Sequence, residues 1–249
     1  MNTEDSGSLS LVRRGAKRGG AVALSTSEPR SSSTSIPSGA LMTAADWDRL
    51  WKRDLLAWVK PRSREELQNR QHYVEWVTQL MAGINLRGLS SAELGCGTGL
   101  VSRGLYDRHG FSSGLLVDFS AEAIKLATHN ARDRNIRVVH ADLLTWETEQ
   151  RFDLVFSIGL IEHFLGDALE AVVRKHASLL NPGGHVLVIV PRRSFFWPLL
   201  KLFNAAQGIR EEALRGRNLV ALCERAGLKV IRLQRFLLGI SIGILAQRP

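Results

Sequence analysis

Apolar and polar residues follow two patterns along the chain: short continuous apolar runs, and stretches with helical apolar spacing. From about residue 90 onward, short apolar runs that end near Leu94, Val117 and Val190 are separated by stretches with three- and four-residue apolar spacing. Strand-length runs between helix-like stretches predict a parallel sheet with helices on its faces. Two last apolar segments, 228–237 and 239–246, predict closing strands, the second with a weak two-residue period.

Two helices are predicted before the first strand, within residues 43–85. The first runs from Asp46 to Val59 and ends before Pro61, and the second starts at a capping box that opens with Ser63. We expect the second helix to pack against the sheet, whereas the first could pack at the edge or cover a site as a lid. The apolar faces consist of Trp47, Leu50, Trp51, Leu55 and Trp58 in the first helix and of Leu67, Tyr73, Val74, Val77, Leu80 and Met81 in the second.

Residues 1–42 show neither of these two patterns. They are rich in Ser, Gly and Thr and carry a basic patch around Arg13 and Arg14, a composition that predicts a disordered tail. The two arginines match the pair of a twin-arginine export signal, but no apolar core follows them, so export is not predicted. The only two cysteines, Cys96 and Cys223, form no disulfide framework or zinc motif, which favours a cytoplasmic protein.

Positive charge is concentrated in the last quarter of the chain. The formal net charge is +9, and from Arg192 to the end eleven Lys or Arg face three Glu. This asymmetry favours an anionic substrate or surface, although a solvated basic face fits the same count. The 249 residues, 45% of them hydrophobic, suffice for one α/β domain with an appendage, and no apolar run is long enough to span a bilayer.

A glycine-rich turn, Ser-Ala-Glu-Leu-Gly-Cys-Gly-Thr-Gly, closes the first predicted strand at residues 91–99. Glycines let the backbone turn tightly and approach a ligand, and the next helix offers that ligand its free N–H groups and positive dipole end. The pattern differs by one residue from the dinucleotide-binding Gly-x-Gly-x-x-Gly. Glu93 suits a cationic ligand rather than a pyrophosphate, and a glycine turn without a ligand is the alternative.

This turn resembles the first motif of class I S-adenosylmethionine-dependent methyltransferases. Asp118 ends the second predicted strand about 20 residues after the turn, and Asp142 follows the third strand, both at that family's spacing. The resemblance covers roughly residues 90–191. It implies an α/β fold with a Rossmann-like, doubly wound, mostly parallel seven-stranded sheet, an antiparallel last strand, helices on both faces and an N-terminal helical extension.

The same resemblance implies S-adenosylmethionine as the cofactor. Asp118 would accept hydrogen bonds from the ribose hydroxyls, and Asp142 one from the adenine amino group. The cofactor-binding residues that the resemblance implies are Glu93, Gly95, Cys96, Gly97, Thr98, Gly99, Asp118, Phe119, Asp142, Leu143, Ser157 and Ile158.

Glu162 and His163, after the fourth predicted strand, are the candidate catalytic residues. No Asn/Asp-Pro-Pro-Tyr or Pro-Cys stands there, which argues against amino-group and cysteine-based C5 methylation. Histidine can act as a base near neutral pH and Glu162 could orient it, although both could be structural. The segment is similar to cyclopropane-fatty-acid methyltransferases and to quinone-biosynthesis O-methyltransferases. The latter carry a metal-binding glutamate where Gly159 stands here, so no metal site is predicted.

Residues 192–218 are strongly apolar with basic margins, and we expect them to cap a substrate pocket within a domain of residues 86–249. This composition favours a lipophilic acceptor or contact with an anionic membrane surface, and a helix packed on the core is the alternative. The leading hypothesis is methyl transfer to a small, lipophilic or anionic acceptor, with oxygen favoured as the acceptor atom. An RNA methyltransferase and a non-catalytic interaction module stay open.

Overall fold

The computed structural model describes residues 39–52 and 64–249, and the side chains of residues 39–52 and 71–249. The strands are β1 Ser90–Leu94, β2 Ser113–Asp118, β3 Ile136–His140, β4 Phe152–Ile158, β5 Leu180–Pro191, β6 Lys229–Phe236 and β7 Ser241–Gln247. The helices are α1 Ala44–Lys52, α2 Arg64–Leu80, α3 Leu100–His109, α4 Ala121–Asn130, α5 Gly166–Ser178, α6 Trp197–Ala206 and α7 Gly216–Arg225.

The seven strands form one sheet in the order β3-β2-β1-β4-β5-β7-β6. Neighbours from β3 to β5 pair in parallel, whereas β7 is antiparallel to both β5 and β6. The chain crosses from one wing of the sheet to the other between β3 and β4. Because ligands of doubly wound sheets bind at the carboxyl ends of the strands beside such a crossing, the topology places a site there. The predicted fold class is confirmed.

Each face of the sheet carries its own apolar core, as the alternation of side chains along β4 and β5 requires. Leu154, Phe156 and Leu187 belong to the core under α2 and α3. Val155 and Val186 belong to the core under α5 and α7. The second predicted helix therefore packs on the sheet, as expected.

The N-terminal part of the described chain starts earlier than the sequence predicted. Residues 1–38 of the predicted tail, and positions 53–63, which include Leu55, Trp58 and Ser63, lie outside the described residues. Residues 39–42 are part of the fold, because Ala40 pairs with Phe164 and Met42 is buried. Helix α1 begins after Thr43, whose N–H and side chain exchange hydrogen bonds with Asp46 in a reciprocal cap.

Strand β5 starts at Leu180, although the Asn-Pro-Gly-Gly sequence that follows is typical of a turn. Leu180 pairs with Phe152, and a register shift precedes the regular pairing that begins at His185. Among the described helices, none combines the length and the apolar character that crossing a bilayer requires.

Candidate active site

A cavity of about 710 Å³ opens at the carboxyl ends of the central strands. We call its wall between the glycine turn, Asp118 and Asp142 the cofactor half, and its wall around Glu162 and His163 the acceptor half. Of the fourteen predicted site residues, twelve line the cavity; Gly99 and Ser157 do not. The lining ones are Glu93, Gly95, Cys96, Gly97, Thr98, Asp118, Phe119, Asp142, Leu143, Ile158, Glu162 and His163.

The glycine turn brings bare backbone to the cavity wall. Gly97 has φ +52°, and a Cβ atom there would lie 3.0 Å from Cζ2 of Trp51. A Cβ on Gly95 would lie 2.6 Å from Cδ1 of Leu160. Gly99 has a different task, since a Cβ there would collide with Leu116 in the sheet beneath the turn. Both the conformation and the close contacts therefore require glycine.

Asp118 organises the cofactor half. Its Oδ2 accepts a hydrogen bond from the Gly97 N–H (2.9 Å), and its Oδ1 accepts one from the Ser120 N–H (2.9 Å). Burial raises the pKa of this carboxyl, whereas the backbone N–H groups that it accepts from act in the opposite direction. Each carboxylate oxygen has a second lone pair, so Asp118 can also accept from two hydroxyls of a ligand in the cavity.

The other polar groups of the cofactor half are also held by the protein. Oε2 of Glu93 accepts from both the N–H (3.2 Å) and the hydroxyl (2.6 Å) of Ser102 in the first turn of α3. Oδ1 of Asp142 accepts from the Leu144 N–H (2.9 Å) and so shapes the loop after β3. Burial, with Asp118 and Glu93 nearby, raises the pKa of the Cys96 thiol, so this cysteine lines the wall as a neutral group.

Ser157 points away from the cavity. Its hydroxyl lies 2.9 Å from Nε2 of the buried His176, whose Nδ1 lies 2.7 Å from the Val172 carbonyl. A carbonyl only accepts, so Nδ1 carries the proton and Nε2 accepts from the serine. Burial lowers the pKa of His176 to about 4. The side chain of Ser157 therefore secures α5 to β4, and its neighbour Ile158 lines the cavity instead.

His163 is fixed within the acceptor half by contacts from two distant segments. Nδ1 lies 2.7 Å from the carbonyl oxygen of Arg210, so this nitrogen carries the proton and Nε2 has the free lone pair. The ring of Trp47 meets the imidazole edge-on at 4.9 Å. Burial lowers the pKa of His163 to about 4, so the ring is neutral at neutral pH.

Glu162 lies beside a second acid that the sequence did not suggest. Its side chain is buried, and its Oε2 has no hydrogen-bond partner among the described residues. Glu211, from the turn after α6, is also buried and receives a hydrogen bond from the Asn204 side chain (2.6 Å). Burial raises the pKa of Glu162 well above its usual range, and Glu211 adds to the effect.

Residues 39–52 lie across the mouth of the cavity as a strap. At one end, the Leu41 N–H donates to the His163 carbonyl (2.8 Å). At the other end, Oδ1 of Asp48 accepts from the Ser120 hydroxyl (2.6 Å) beside the start of α4. Trp47 and Trp51 of α1 line the cavity between these ends. Of the two roles left open for the first predicted helix, the cover over the site agrees with these contacts.

The comparisons with known proteins agree with this fold and cavity. A family model described as a methyltransferase domain matches residues 63–233. The chain belongs to this family. It is an S-adenosylmethionine-dependent methyltransferase of class I, and S-adenosylmethionine is its cofactor.

The individual relatives and solved structures that match this chain share 30% of its sequence or less in the examples that follow. The chain is 30% identical over 118 residues to a ubiquinone biosynthesis O-methyltransferase of Alkalilimnicola ehrlichii, a match that covers 46% of this chain and 45% of the relative. It is 27% identical over 205 residues to the enzyme of that name from Leptothrix cholodnii, covering 75% and 85%. A magnesium protoporphyrin IX methyltransferase from Synechocystis, solved with S-adenosylhomocysteine, has a TM-score of 0.61 at 18% identity, covering 82% of this chain and 94% of that one.

The residues of the cofactor half fit this cofactor. Gly97 lines the cavity without a side chain, and Asp118 offers two carboxylate oxygens to the hydroxyls of a ribose. The acceptor half also contains residues that the sequence analysis did not single out. Their apolar spacing indicated only a cap, because nothing in it shows which residues face inward; they are Trp197, Leu200, Asn204, Ile209 and Glu211.

Proposed function

We propose that the chain transfers the methyl group of S-adenosylmethionine to an oxygen atom of a small lipophilic acceptor. One observation supports this most: the side chains of Glu162, His163, Asn204 and Glu211 form a small polar group at one end of a cavity whose wall there also includes Trp47, Trp197 and other apolar residues. A site of this kind buries an apolar body and orients a single polar group.

The chemistry divides between the cofactor and the protein. Bound S-adenosylmethionine supplies an electrophilic methyl group on its sulfonium. The chain has to align the acceptor oxygen with that group, exclude water and deal with the hydroxyl proton. The apolar cap residues and α1 exclude water, and Glu162 and His163 interact with the hydroxyl. Because Glu162 and Glu211 are both acids, the acceptor half favours a neutral hydroxyl over an anionic group.

Oxygen as the acceptor atom has independent support from the relatives. The matched proteins from Alkalilimnicola and Leptothrix are named ubiquinone biosynthesis O-methyltransferases. Of the two candidate catalytic groups, the Glu162 carboxylate suits the removal of a hydroxyl proton better, because burial raises its pKa, whereas the lone pair of the neutral His163 ring can accept a hydrogen bond from that hydroxyl. We therefore propose a lipophilic phenol as the acceptor class, with a lipophilic carboxylic acid as the first alternative.

The test is a methyl-transfer assay on the purified chain with alkylated phenols, lipophilic carboxylic acids and RNA as acceptors. We expect O-methylated phenol by mass spectrometry, and we expect His163→Ala to lower turnover by about 10²- to 10⁴-fold. The affinity for S-adenosylhomocysteine should stay within a factor of about three. The exposed His129 gives the matched control, since His129→Ala should leave turnover unchanged.

Transfer to RNA alone would overturn the proposal and support the RNA methyltransferase alternative. In that case binding should weaken steeply with salt, because phosphate contacts release counterions. Binding of S-adenosylmethionine without transfer to any acceptor class would instead favour an interaction module.

We also propose that this chain contacts an anionic membrane surface from the cytoplasmic side. Helix α6 turns Trp197 and Leu200 toward the cavity, whereas Leu199 is 69% exposed on its outer face. The turn before it exposes Phe195 by 92%. The outer apolar residues are Phe195, Phe196, Leu199, Leu202 and Phe203. The positive charge of the last quarter of the chain matches an anionic surface, which would bring a lipophilic acceptor close to the cap.

Sedimentation with lipid vesicles tests this contact. We expect the chain to bind vesicles that contain phosphatidylglycerol and not vesicles of phosphatidylcholine alone. The double substitution Leu199→Ser with Leu202→Ser should abolish binding while leaving turnover on a water-soluble phenol unchanged. If the double variant instead converts a dimer to a monomer, the patch is an interface between copies of the chain and the proposal fails.

A further inference from the structure

We propose that Glu162, His163 and Glu211 form a binding site for a divalent cation at the acceptor end of the cavity. Each of the three side chains offers one ligand atom, and these atoms lie within 4.8 Å of one another. All three residues are buried, with exposed fractions of 2%, 6% and 8%. The third residue reaches the first two only through the fold, because 49 positions of sequence separate Glu162 from Glu211.

An unpartnered carboxylate oxygen points to what is missing from this cluster. Glu162 Oε2 is buried without a hydrogen-bond partner among the described residues. Among the ion pairs of those residues, none joins Glu162 or Glu211 to a lysine or an arginine. A buried carboxyl oxygen without a hydrogen-bond partner destabilises the folded chain, because it loses its contacts with water and gains none in return. A cation between the two acids would remove this cost.

The ligand atoms are also held in place as the ligands of a metal usually are. His163 donates its Nδ1 proton to the Arg210 carbonyl, so the lone pair on Nε2 is the one available to a cation. Asn204 donates to Oε1 of Glu211, and the Glu212 N–H donates to the Glu162 carbonyl (2.9 Å), which links the two acid-bearing segments. Such outer hydrogen bonds fix the tautomer of a ligating histidine and the orientation of a ligating carboxylate.

The donor set limits the kind of cation. Two carboxylates and one imidazole suit Mn²⁺, Fe²⁺ or Zn²⁺ better than Ca²⁺, which prefers six to eight oxygen ligands. Three protein ligands leave a position open toward the cavity, as catalytic sites do. A cation there would stabilise negative charge on an acceptor oxygen. The inference therefore deepens the proposed O-methyl transfer and rests on it, and it gives the Nε2 lone pair of His163 to the cation instead of to the hydroxyl proton.

Titration with Mn²⁺ tests the site directly. The full chain is stripped with a chelator, and free Mn²⁺ is followed by electron paramagnetic resonance without any acceptor present. We expect one bound Mn²⁺ per chain, displaced by Zn²⁺. Glu211→Gln should weaken Mn²⁺ binding by at least about tenfold, because it removes one anionic ligand and keeps the side-chain shape.

The neighbouring Glu212 provides the matched control. Its carboxylate pairs with Lys201 at the surface instead of facing the cluster, so Glu212→Gln should bind Mn²⁺ as the parent chain does. Glu162→Gln is the second variant, in case Glu211→Gln does not fold by circular dichroism. Equal Mn²⁺ binding by the parent chain and both cluster variants would place the metal elsewhere and overturn the proposal.

Titration of the same samples with S-adenosylhomocysteine separates this inference from the function on which it rests. If the protein binds S-adenosylhomocysteine but neither Mn²⁺ nor Zn²⁺, the cation site is disproved and the proposed methyl transfer is unaffected. If the folded protein binds Mn²⁺ at the cluster but methylates no hydroxyl, the cation site is supported and the proposed function is disproved.

Discussion

The two halves of the cavity are built in different ways. In the cofactor half, both oxygens of Asp118 receive backbone hydrogen bonds, from residues no more than 21 positions away. In the acceptor half, His163 is oriented by Arg210, 47 positions away, and Glu162 Oε2 has no hydrogen-bond partner among the described residues. One half is locally built, and its carboxylates have hydrogen-bond partners, whereas the other is assembled from distant segments around a buried carboxyl oxygen that has no partner among the described residues.

This difference shows where such a fold can vary. The cofactor half depends on consecutive strand–turn–helix units, so its geometry holds as long as each unit folds. The acceptor half depends on α1, on the turn after β4 and on the segment around α6, which can change independently. A fold can in this way keep one cofactor while its substrates differ.

We expect the largest loss of ligand binding from Gly97→Arg, a substitution in the locally built cofactor half. The side chain would enter the space between the glycine turn and Trp51, where a Cβ alone would lie 3.0 Å from the tryptophan ring. Affinity for S-adenosylhomocysteine, measured by isothermal titration calorimetry, should fall at least about 100-fold, because a close-packed site cannot absorb the added volume.

Gly227→Arg is the control for the backbone penalty. Gly227 also has positive φ (+77°), but a Cβ there would meet no atom within 4 Å. It should lose comparable stability while keeping cofactor affinity. If Gly97→Arg retained affinity, the glycine turn would not be the cofactor-binding wall, and the comparison between the halves would collapse.

The cofactor half was largely predictable from the sequence because its signals are local. The glycine spacing, the acid at the end of β2 and the acid after β3 each belong to one strand–turn–helix unit, and all three line the cavity. Ser157 shows the limit of such reasoning. It stands at the expected position near the end of β4, yet alternation along the strand directs its side chain to His176 in the opposite core.

The acceptor half could be predicted only in outline. The apolar segment after β5 indicated a cap, but its helical spacing does not show that Leu200 faces the cavity and Leu199 the solvent. In the sequence, nothing distinguishes Glu211 from the other charged residues. It comes close to Glu162 only in the folded chain, so the sequence analysis could not include it in a candidate metal site.

The second largest effect concerns the buried His176, which links α5 to β4 through the Ser157 hydroxyl. His176 has a pKa of about 4 in the folded chain, below the usual value of 6.5. The unfolded chain therefore binds the extra proton first, and stability is full above about pH 6.5 and declines as the pH falls toward 4. Between about pH 7.5 and about pH 5, this residue should account for about 2 kcal/mol of lost stability.

Urea unfolding at several pH values measures that loss. His176→Asn should be less stable at neutral pH, because the Ser157 hydroxyl loses its partner, but its stability should decline less steeply with acid, by about one bound proton. His129→Ala, at an exposed histidine, should keep the slope of the parent chain. An unchanged slope in His176→Asn would mean that the buried histidine does not drive the acid sensitivity.

The assembled half can be probed separately by Leu200→Trp. Leu200 lines the cavity from the inner face of α6, so the larger ring would occupy acceptor space. We expect KM for a phenolic acceptor to rise about tenfold, with affinity for S-adenosylhomocysteine changed by less than about twofold. Leu199→Trp, one position away on the outer face, should leave both values unchanged. Equal losses of cofactor and acceptor binding in Leu200→Trp would show that the two halves are not independent.

The smallest effect comes from the strap that joins the halves. Asp48 on α1 accepts from the Ser120 hydroxyl (2.6 Å) and from the Glu122 N–H (3.3 Å), so its charge also lies at the amino end of α4, where the helix dipole favours an anion. Asp48→Ala should lower the free energy of unfolding by about 1 kcal/mol, because a buried hydroxyl loses its acceptor. It should also weaken S-adenosylhomocysteine binding about threefold, since Trp51 then covers Gly97 less firmly.

The control is Lys52→Ala, which removes the neighbouring surface ion pair with Glu122 (3.5 Å). It should lower the free energy of unfolding by less than about 0.5 kcal/mol. If the two variants behaved alike, the strap would be held by its acceptor-side contacts near His163 alone, and the cofactor half would be independent of α1.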